Sequence, residues 1–193
     1  CGGDSGQAVE YDDGFGENVL RVTYDHECES GDPAQTTSDY IIQLNIFDTL
    51  VQTVSTEDGG SELQPGAAES WEISDDGKTY SMHLRKGIMF TNGEEMTSDD
   101  VLYTVDRMLD PERAALNTPW MDMLVGAQDV LNGKADTVEG KGIIIHDDYN
   151  FDIVLNDSYS PFLATLSVPA WSIINREAGD AADEAGGGVT GTR

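Results

Sequence analysis

Basic residues are scarce in this sequence. Its 193 residues include 10 lysines and arginines against 37 aspartates and glutamates, which gives a formal net charge of −27 at pH 7. Proteins bind nucleic acids and anionic membrane surfaces largely through positive charge. The composition therefore argues against nucleic acid as a partner. It favours solubility, and it does not identify a ligand.

Cysteines are few, and long apolar runs are missing. Cys1 and Cys28 are the two cysteines, so one disulfide is the most that the chain can form, and a disulfide framework is excluded. No run approaches the roughly 20 apolar residues that a membrane-spanning helix needs. A chain of 193 residues is long enough for one sizeable hydrophobic core or two small ones.

Motifs for catalysis are also missing. The sequence contains no G-x-S-x-G, H-E-x-x-H or Walker A pattern, which are common marks of hydrolases, metalloproteases and nucleotide-binding enzymes. Residues 186–191 match G-x-G-x-x-G, but an acidic, alanine-rich run precedes them where a dinucleotide site needs a strand. Adjacent carboxylates, such as Asp75-Asp76 and Asp99-Asp100, fall in predicted turns and helix caps. We predict no catalytic residue and no cofactor.

A metal site is the next candidate chemistry. His26 and Cys28, with Glu27 and Glu29 beside them, carry side chains that coordinate transition metals. A third ligand is not evident, and alternate residues of a strand share a face without forming a site. The other two histidines lie in separate predicted hairpins and are expected at the surface. We therefore predict no metal site.

The clearest structural pattern runs through residues 67–111, AAESWEISDDGKTYSMHLRKGIMFTNGEEMTSDDVLYTVDRMLDP. Apolar and polar residues alternate on both sides of the Asp-Asp-Gly at 75–77, which predicts a β-hairpin. Thr97 and Asp100 resemble a capping box, and apolar residues then recur at helical spacing until Asp110-Pro111. We predict a hairpin followed by a helix, with the apolar faces of both in the core.

The rest of the chain carries weaker patterns. A buried helix is predicted at 38–51, and a β-hairpin at 143–155. Short helices are predicted near 120–131 and at 162–168. No element is predicted for the acidic, glycine-rich tail at 179–193.

The ordered string at 67–111 resembles the N-terminal signature of the family 5 solute-binding proteins, the oligopeptide-, dipeptide- and nickel-type receptors of bacterial ABC importers. The segments that carry the resemblance are AESW, IS, DDG, TY, LRKG, NG and DDVLYTVDRMLDP. The resemblance extends from about Asn18 to about Thr192. It implies an α+β fold with a mixed sheet and packed helices. That fold would be a partial lobe of a bilobal periplasmic-binding-protein-like receptor of type II, cluster C.

The resemblance also implies how the chain is divided. Residues 1–16 are rich in Gly and Asp and are predicted to be a flexible tether. Residues 17–193 would be the N-terminal part of lobe I, with the rest of lobe I and lobe II absent. Cys1 would be the lipid-attachment cysteine of a lipoprotein at the outer face of the cell membrane. The alternative is that the sequence simply begins there.

The function implied is binding of a solute, most often an oligopeptide, outside the cytoplasm and its delivery to the permease subunits of an ABC importer. The protein would not be an enzyme. In the family the loop after the first strand, here Glu27, Cys28 and Glu29, lies near the ligand, as does the region of Trp120. A core position is the alternative for Trp120. An extracellular hydrolase and a lipid-anchored surface interaction domain remain open as other functions.

Overall fold

The computed structural model describes residues 31–35 and 40–184 of the chain. In these ranges the strands are β1 (Val51–Ser55), β2 (Ser61–Pro65), β3 (Ala68–Ile73), β4 (Thr79–Leu84), β5 (Ile143–Asp147) and β6 (Asn150–Val154). The helices are α1 (Tyr40–Ile46), α2 (Ser98–Leu109), α3 (Ala127–Leu131), α4 (Phe162–Thr165) and α5 (Arg176–Glu184). Two 3-10 turns lie at Thr118–Trp120 and Pro169–Trp171. The α+β class is confirmed.

The main sheet has four antiparallel strands in the order β3-β4-β6-β5. The predicted first hairpin is confirmed, because β3 pairs with β4 and Gly77 occupies its turn with a φ of 68°. Along β4 the side chains of Tyr80, Met82 and Leu84 are buried, and those between them are partly exposed. The period of two in the sequence therefore marks the face that enters the core. The second predicted hairpin is β5 and β6.

Helix α2 covers the buried face of this sheet. Thr97 is its N-cap, and Asp100 Oδ2 accepts a hydrogen bond of 2.9 Å from the Thr97 backbone N–H. Asp thus takes the place of the usual Glu or Gln in the capping box. The helix and the sheet share one apolar core, whose members include Tyr80, Met82, Leu84, Val101, Val105, Met108, Leu109, Phe151, Ile153 and Trp171.

The predicted helix at 38–51 is too long. Helix α1 ends at Ile46, and Val51 begins β1, which pairs with β2 in a separate two-stranded sheet. The backbone N–H groups of Gly66 and Ala68 both donate to the Leu50 carbonyl, at 3.1 and 3.0 Å. These bonds come from distant residues, so the apolar run alone could not reveal them. The helix predicted at 162–168 likewise ends at Thr165.

The tail contains a helix that the sequence analysis did not predict. Helix α5 packs against α2, and Asn175 caps it by accepting a 2.9 Å hydrogen bond from the Ala178 N–H. Gly179 faces the ring of Tyr103 so closely that an added Cβ would overlap it. The absence of a side chain at 179 is what lets the two helices meet.

None of the helices in 31–35 and 40–184 has the length and apolar character to cross a membrane. The expected tether at 1–16, the strand that the alternation at 19–24 predicts, and residues 186–191 lie outside the described residues.

The net charge of −27 should make stability depend on salt. We expect the melting temperature to rise when NaCl is increased from about 0.01 to 1 M, because the Debye length falls from about 30 Å to about 3 Å. Screening relieves repulsion most in the folded state, where the carboxylates are closest together. Thermal melts followed by circular dichroism measure this effect. A melting temperature that falls across the series would contradict it.

Candidate functional site

Trp120 stands at the boundary between core and surface. It ends the 3-10 turn that follows Asn117, whose carbonyl accepts a 3.1 Å hydrogen bond from the Trp120 N–H. The side chain is partly buried and packs against the hydrophobic core. Trp171, by contrast, is 1% exposed. Trp120 therefore contacts the core and also keeps part of its surface accessible.

The loop at 31–35 lies directly against the segment that precedes Trp120. Asn117 Nδ2 donates to the Pro33 carbonyl at 2.6 Å, and the Leu116 N–H donates to the Ala34 carbonyl at 2.9 Å. Gln35 Nε2 donates to the Arg113 carbonyl at 3.3 Å. The structure thus joins two segments that are about 80 residues apart in sequence. The predicted ligand residues Glu27, Cys28 and Glu29 lie outside the described residues.

A buried ion pair anchors this loop to α2. Arg107 Nη1 and Nη2 donate to Asp32 Oδ1 and Oδ2 at 2.9 and 2.7 Å, and the two side chains are only 3% and 2% exposed. Asp32 Oδ1 also accepts a 2.9 Å hydrogen bond from the Ala34 N–H. The planar guanidinium binds both carboxylate oxygens, so the pair defines the orientation of the loop on α2 as well as its distance from the helix.

Asp183 of α5 extends the pair into a four-residue ion cluster of Asp32, Arg107, Asp183 and Arg113. Asp183 Oδ1 accepts from Arg107 Nη2 at 3.2 Å and from Arg113 Nη1 at 2.8 Å. Its Oδ2 accepts from Arg113 Nη2. The ion cluster therefore connects the loop at 31–35, helix α2 and helix α5.

The cluster favours its own ionised forms. Hydrogen bonds from Arg113, opposed in part by burial and reinforced by the charge of Arg107, lower the pKa of Asp183. Burial by itself lowers the pKa of Arg107, but the hydrogen bonds and charges of Asp32 and Asp183 raise it overall. Asp183 and Arg107 are consequently both charged near neutral pH.

Asp183→Asn tests this charge state. The pKa of Asp183 is lower in the folded protein than its ordinary value of 3.8. Asp183 therefore contributes its full stability at pH values above 3.8, and this contribution is lost as the pH falls through the pKa of the folded state. We expect the substitution to cost about 1.5–3 kcal/mol at pH 7, the range for hydrogen bonds to charged groups. Urea titrations from pH 7 to 3 should show the gap to wild type closing. Glu184→Gln, an exposed neighbour, is the control, and a gap that is constant with pH would contradict the assignment.

A second polar region lies where the N-termini of α2 and α5 meet. It forms an open cleft of about 520 Å³, lined by Glu94, Glu95, Thr97, Asp99, Asp100, Asn175, Arg176 and Glu177. Asp100 Oδ1 accepts from the Arg176 N–H at 3.0 Å, and Arg176 Nε donates to Asp99 Oδ2 at 2.6 Å. Burial raises the pKa of Asp100, although hydrogen bonds from Thr97 and Arg176 partly oppose the rise. These contacts serve to dock α5 on α2.

The histidines do not gather into a site. His146 is exposed, as expected, and lies 2.9 Å from Asp152, whereas His83 is partly buried and its Nδ1 lies 2.5 Å from Asn150 Oδ1. Among the described residues, no group of three or more His, Cys, Asp or Glu side chains could hold a metal ion. His26 and Cys28 lie outside those residues.

The sequence analysis assigned no role to any of the four members of the ion cluster, Asp32, Arg107, Asp183 and Arg113. Arg107 lies 75 residues from Asp32 and 76 from Asp183, so no local spacing connects them. The one available signal was the burial of α2, because an arginine within a largely apolar helix needs a carboxylate partner.

Comparison with known proteins places the chain in a family. Residues 62–192 match the family described as bacterial extracellular solute-binding proteins, family 5 middle. The chain belongs to this family. The match includes the hairpin, α2 and the segment with Trp120, and it confirms the resemblance drawn from residues 67–111.

The relatives include several peptide-binding proteins. The chain is 37% identical over 127 residues to the periplasmic oligopeptide-binding protein OppA of Haemophilus influenzae, which covers 65% of this chain and 23% of the relative. It is 34% identical over 134 residues to the dipeptide-binding protein of Escherichia coli, with 66% and 24% covered. The chain thus spans about a quarter of the length of these relatives.

Solved structures of peptide-binding proteins have a fold similar to that of this chain. The complex of Haemophilus influenzae OppA with RPPGFSPFR matches with a TM-score of 0.70 and 28% identity, over 81% of this chain and 30% of that one. The substrate-binding domain of an oligopeptide ABC transporter from Bacillus anthracis matches with a TM-score of 0.75 at 24% identity, over 86% and 32%. The second match supports the fold alone.

Proposed function

We propose that this chain is part of an extracytoplasmic receptor that binds an oligopeptide and delivers it to an ABC importer. The observation that carries the proposal is the family match over residues 62–192. It is supported by relatives named as oligopeptide- and dipeptide-binding proteins, and by a peptide complex among the similar structures. The complete receptor would close two lobes around the peptide and exclude water from it.

The proposed ligand-contacting residues are Glu27, Cys28, Glu29 and Trp120. Support comes from the contacts between the loop at 31–35 and the segment before Trp120. A partly exposed tryptophan offers a rigid aromatic surface to a peptide, whose main chain pairs readily with protein backbone.

Mass spectrometry of ligands that co-purify with the full-length protein tests the proposal. Intact peptides of a few residues are expected. Because one relative, 34% identical over 139 residues, is named heme-binding protein A, the same sample should be checked for heme absorbance. Recovery of heme or a sugar without peptide would overturn the peptide assignment, and cleaved products would favour a hydrolase.

Trp120→Ala should then weaken peptide binding. Its melting temperature should fall by about as much as that of the control variant. The control is Trp71→Ala, since Trp71 is also partly buried and packs against the same core. Equal affinity in the two variants, measured by isothermal titration calorimetry, would remove Trp120 from the site.

Cys1 is the proposed lipid-attachment site, so the protein would be anchored at the outer face of the membrane. The supporting observation is a cysteine followed by a glycine-rich polar segment. Cys1→Ser in the precursor should move the protein from the membrane fraction to the soluble fraction, and Cys28→Ser is the matched control. Unchanged membrane association would count against the anchor.

A further inference from the structure

We infer that Arg107 is a positioning residue of the ligand site. By holding Asp32, it sets the position of the loop at 31–35 relative to the turn that ends in Trp120. The inference rests on the proposed function for its connection to ligand, and on the described residues for its geometry. Arg107 itself need not touch the peptide.

The Asp32 carboxylate determines both the shape and the placement of the loop. Its Oδ1 accepts from the Ala34 N–H inside the loop and from Arg107 on α2, at 2.9 Å each, and its Oδ2 accepts the second Arg107 bond at 2.7 Å. A bidentate pair of this kind resists rotation as well as translation. Loss of Arg107 would leave the loop's internal turn and its hydrogen bonds to residues 113–117 in place, but would remove the bidentate bond that fixes its orientation on α2.

The guanidinium is itself held from two sides. Asp32 binds it from the loop and Asp183 from α5, while Arg113 holds Asp183 in turn. The Arg113 carbonyl then accepts from Gln35 at the end of the loop. The contacts therefore form a closed ring that begins and ends on residues 31–35, so that each member restrains the others.

Burial suggests that the pair specifies geometry more than it adds stability. Both side chains are almost completely removed from solvent, at 3% and 2% exposure. Desolvation offsets much of the attraction between buried charges, and apolar replacement of both partners is often neutral or stabilising. What apolar side chains cannot reproduce is the directional, two-point bond. A double apolar variant can therefore separate positioning from stability.

The experiment uses the full-length protein with Cys1 and Cys28 replaced by serine. Spin labels are attached to Gln35→Cys and Pro119→Cys, both exposed positions on the two segments. The Gln35→Cys change removes the hydrogen bond to the Arg113 carbonyl in every labelled protein alike, so a difference between them reports the Asp32–Arg107 pair. Their distance distribution is measured by pulsed electron paramagnetic resonance in the parent, in Asp32→Leu/Arg107→Met and in Asp129→Leu/Lys141→Met. The last is the control, because it removes an exposed ion pair outside the ion cluster, with side chains that are 50% and 52% exposed.

Peptide binding is measured separately in the unlabelled parent and in the two double variants, all of which keep Cys28 because it is a proposed ligand-contacting residue. The probe is a mixture of alanine tri- to pentapeptides together with RPPGFSPFR. We expect the Asp32→Leu/Arg107→Met variant to keep a cooperative melt, to show a broader or shifted distance distribution, and to bind the probe at least tenfold more weakly. The control should match the parent in both measurements.

The possible outcomes distinguish the positioning role of Arg107 from the proposed peptide-binding function. An unchanged distance distribution in Asp32→Leu/Arg107→Met overturns the positioning role, whatever the peptide result. A changed distribution with unchanged affinity overturns its connection to the ligand site. If the parent binds no peptide, the proposed function fails, and the distance measurement still decides whether Arg107 positions the loop. Arg107→Lys adds a further check, since it keeps the charge without the fork and should restore the distribution only in part.

Discussion

Arg107→Met, made alone, is expected to lower the free energy of unfolding by about 3–5 kcal/mol, the range for breaking a buried ion pair by removing one partner. The cost arises because the carboxylate of Asp32, only 2% exposed, would lose both hydrogen bonds from the guanidinium. Asp183 is better protected, because Arg113 donates to it as well. Urea denaturation at pH 7 measures the change, with the slope of the transition checked for constancy.

Arg176→Met is the control for this variant. Arg176 begins α5 and its partner is Asp99 of α2, but the two side chains are 43% and 56% exposed. An exposed pair contributes at most about 1 kcal/mol to stability. The loss of unfolding free energy should therefore be severalfold larger in Arg107→Met than in Arg176→Met. Equal losses in the two variants would show that the Arg107 pair behaves as if it were solvated, and would remove the basis for a rigid anchor.

Met82→Ala is expected to lower the free energy of unfolding by about 2–5 kcal/mol, the range for truncating a buried methionine, leucine or isoleucine. Met82 lies in β4, the inner strand between β3 and β6, and has no exposed surface. Truncation removes contacts to both the sheet and α2, and the rigid surroundings can close the resulting cavity only in part.

Met89→Ala provides the matched control, because Met89 is the same residue type at 55% exposure. Its truncation should change the free energy of unfolding by less than about 0.5 kcal/mol, as is usual for surface positions. Both variants should retain peptide affinity in the full-length protein wherever they remain folded. A loss of affinity in Met82→Ala with an unchanged melting temperature would mean that the hairpin belongs to the ligand site.

Local signals account for the elements that were predicted well. The hairpin of β3 and β4 follows from alternation over a few residues and from a glycine that adopts positive φ at 77. Helix α2 follows from Thr97, Asp100 and the proline at 111, all within one helix length. These features depend on neighbours in the chain, so a single sequence contains them. The same string was enough to indicate the family.

Elements decided by distant contacts were predicted poorly. The apolar run after residue 46 suits either a helix or a strand, and pairing with β2 decides the matter. Helix α5 contains good helix formers such as Ala and Glu, but at 9 residues it is too short to be stable alone. It therefore depends on its Asn175 cap and on docking against Tyr103.

The candidate site divides in the same way. The sequence by itself determined the β-hairpins, helix α2, the turns, the acidic character and the family, because propensity, capping and periodicity act between residues close in the chain. Only the tertiary structure decided that Arg107 meets Asp32 and Asp183, across 75 and 76 residues. Ion pairing depends on distance in space and on removal from water. The distance between the charges and their burial are determined only when the loop, α2 and α5 have packed together.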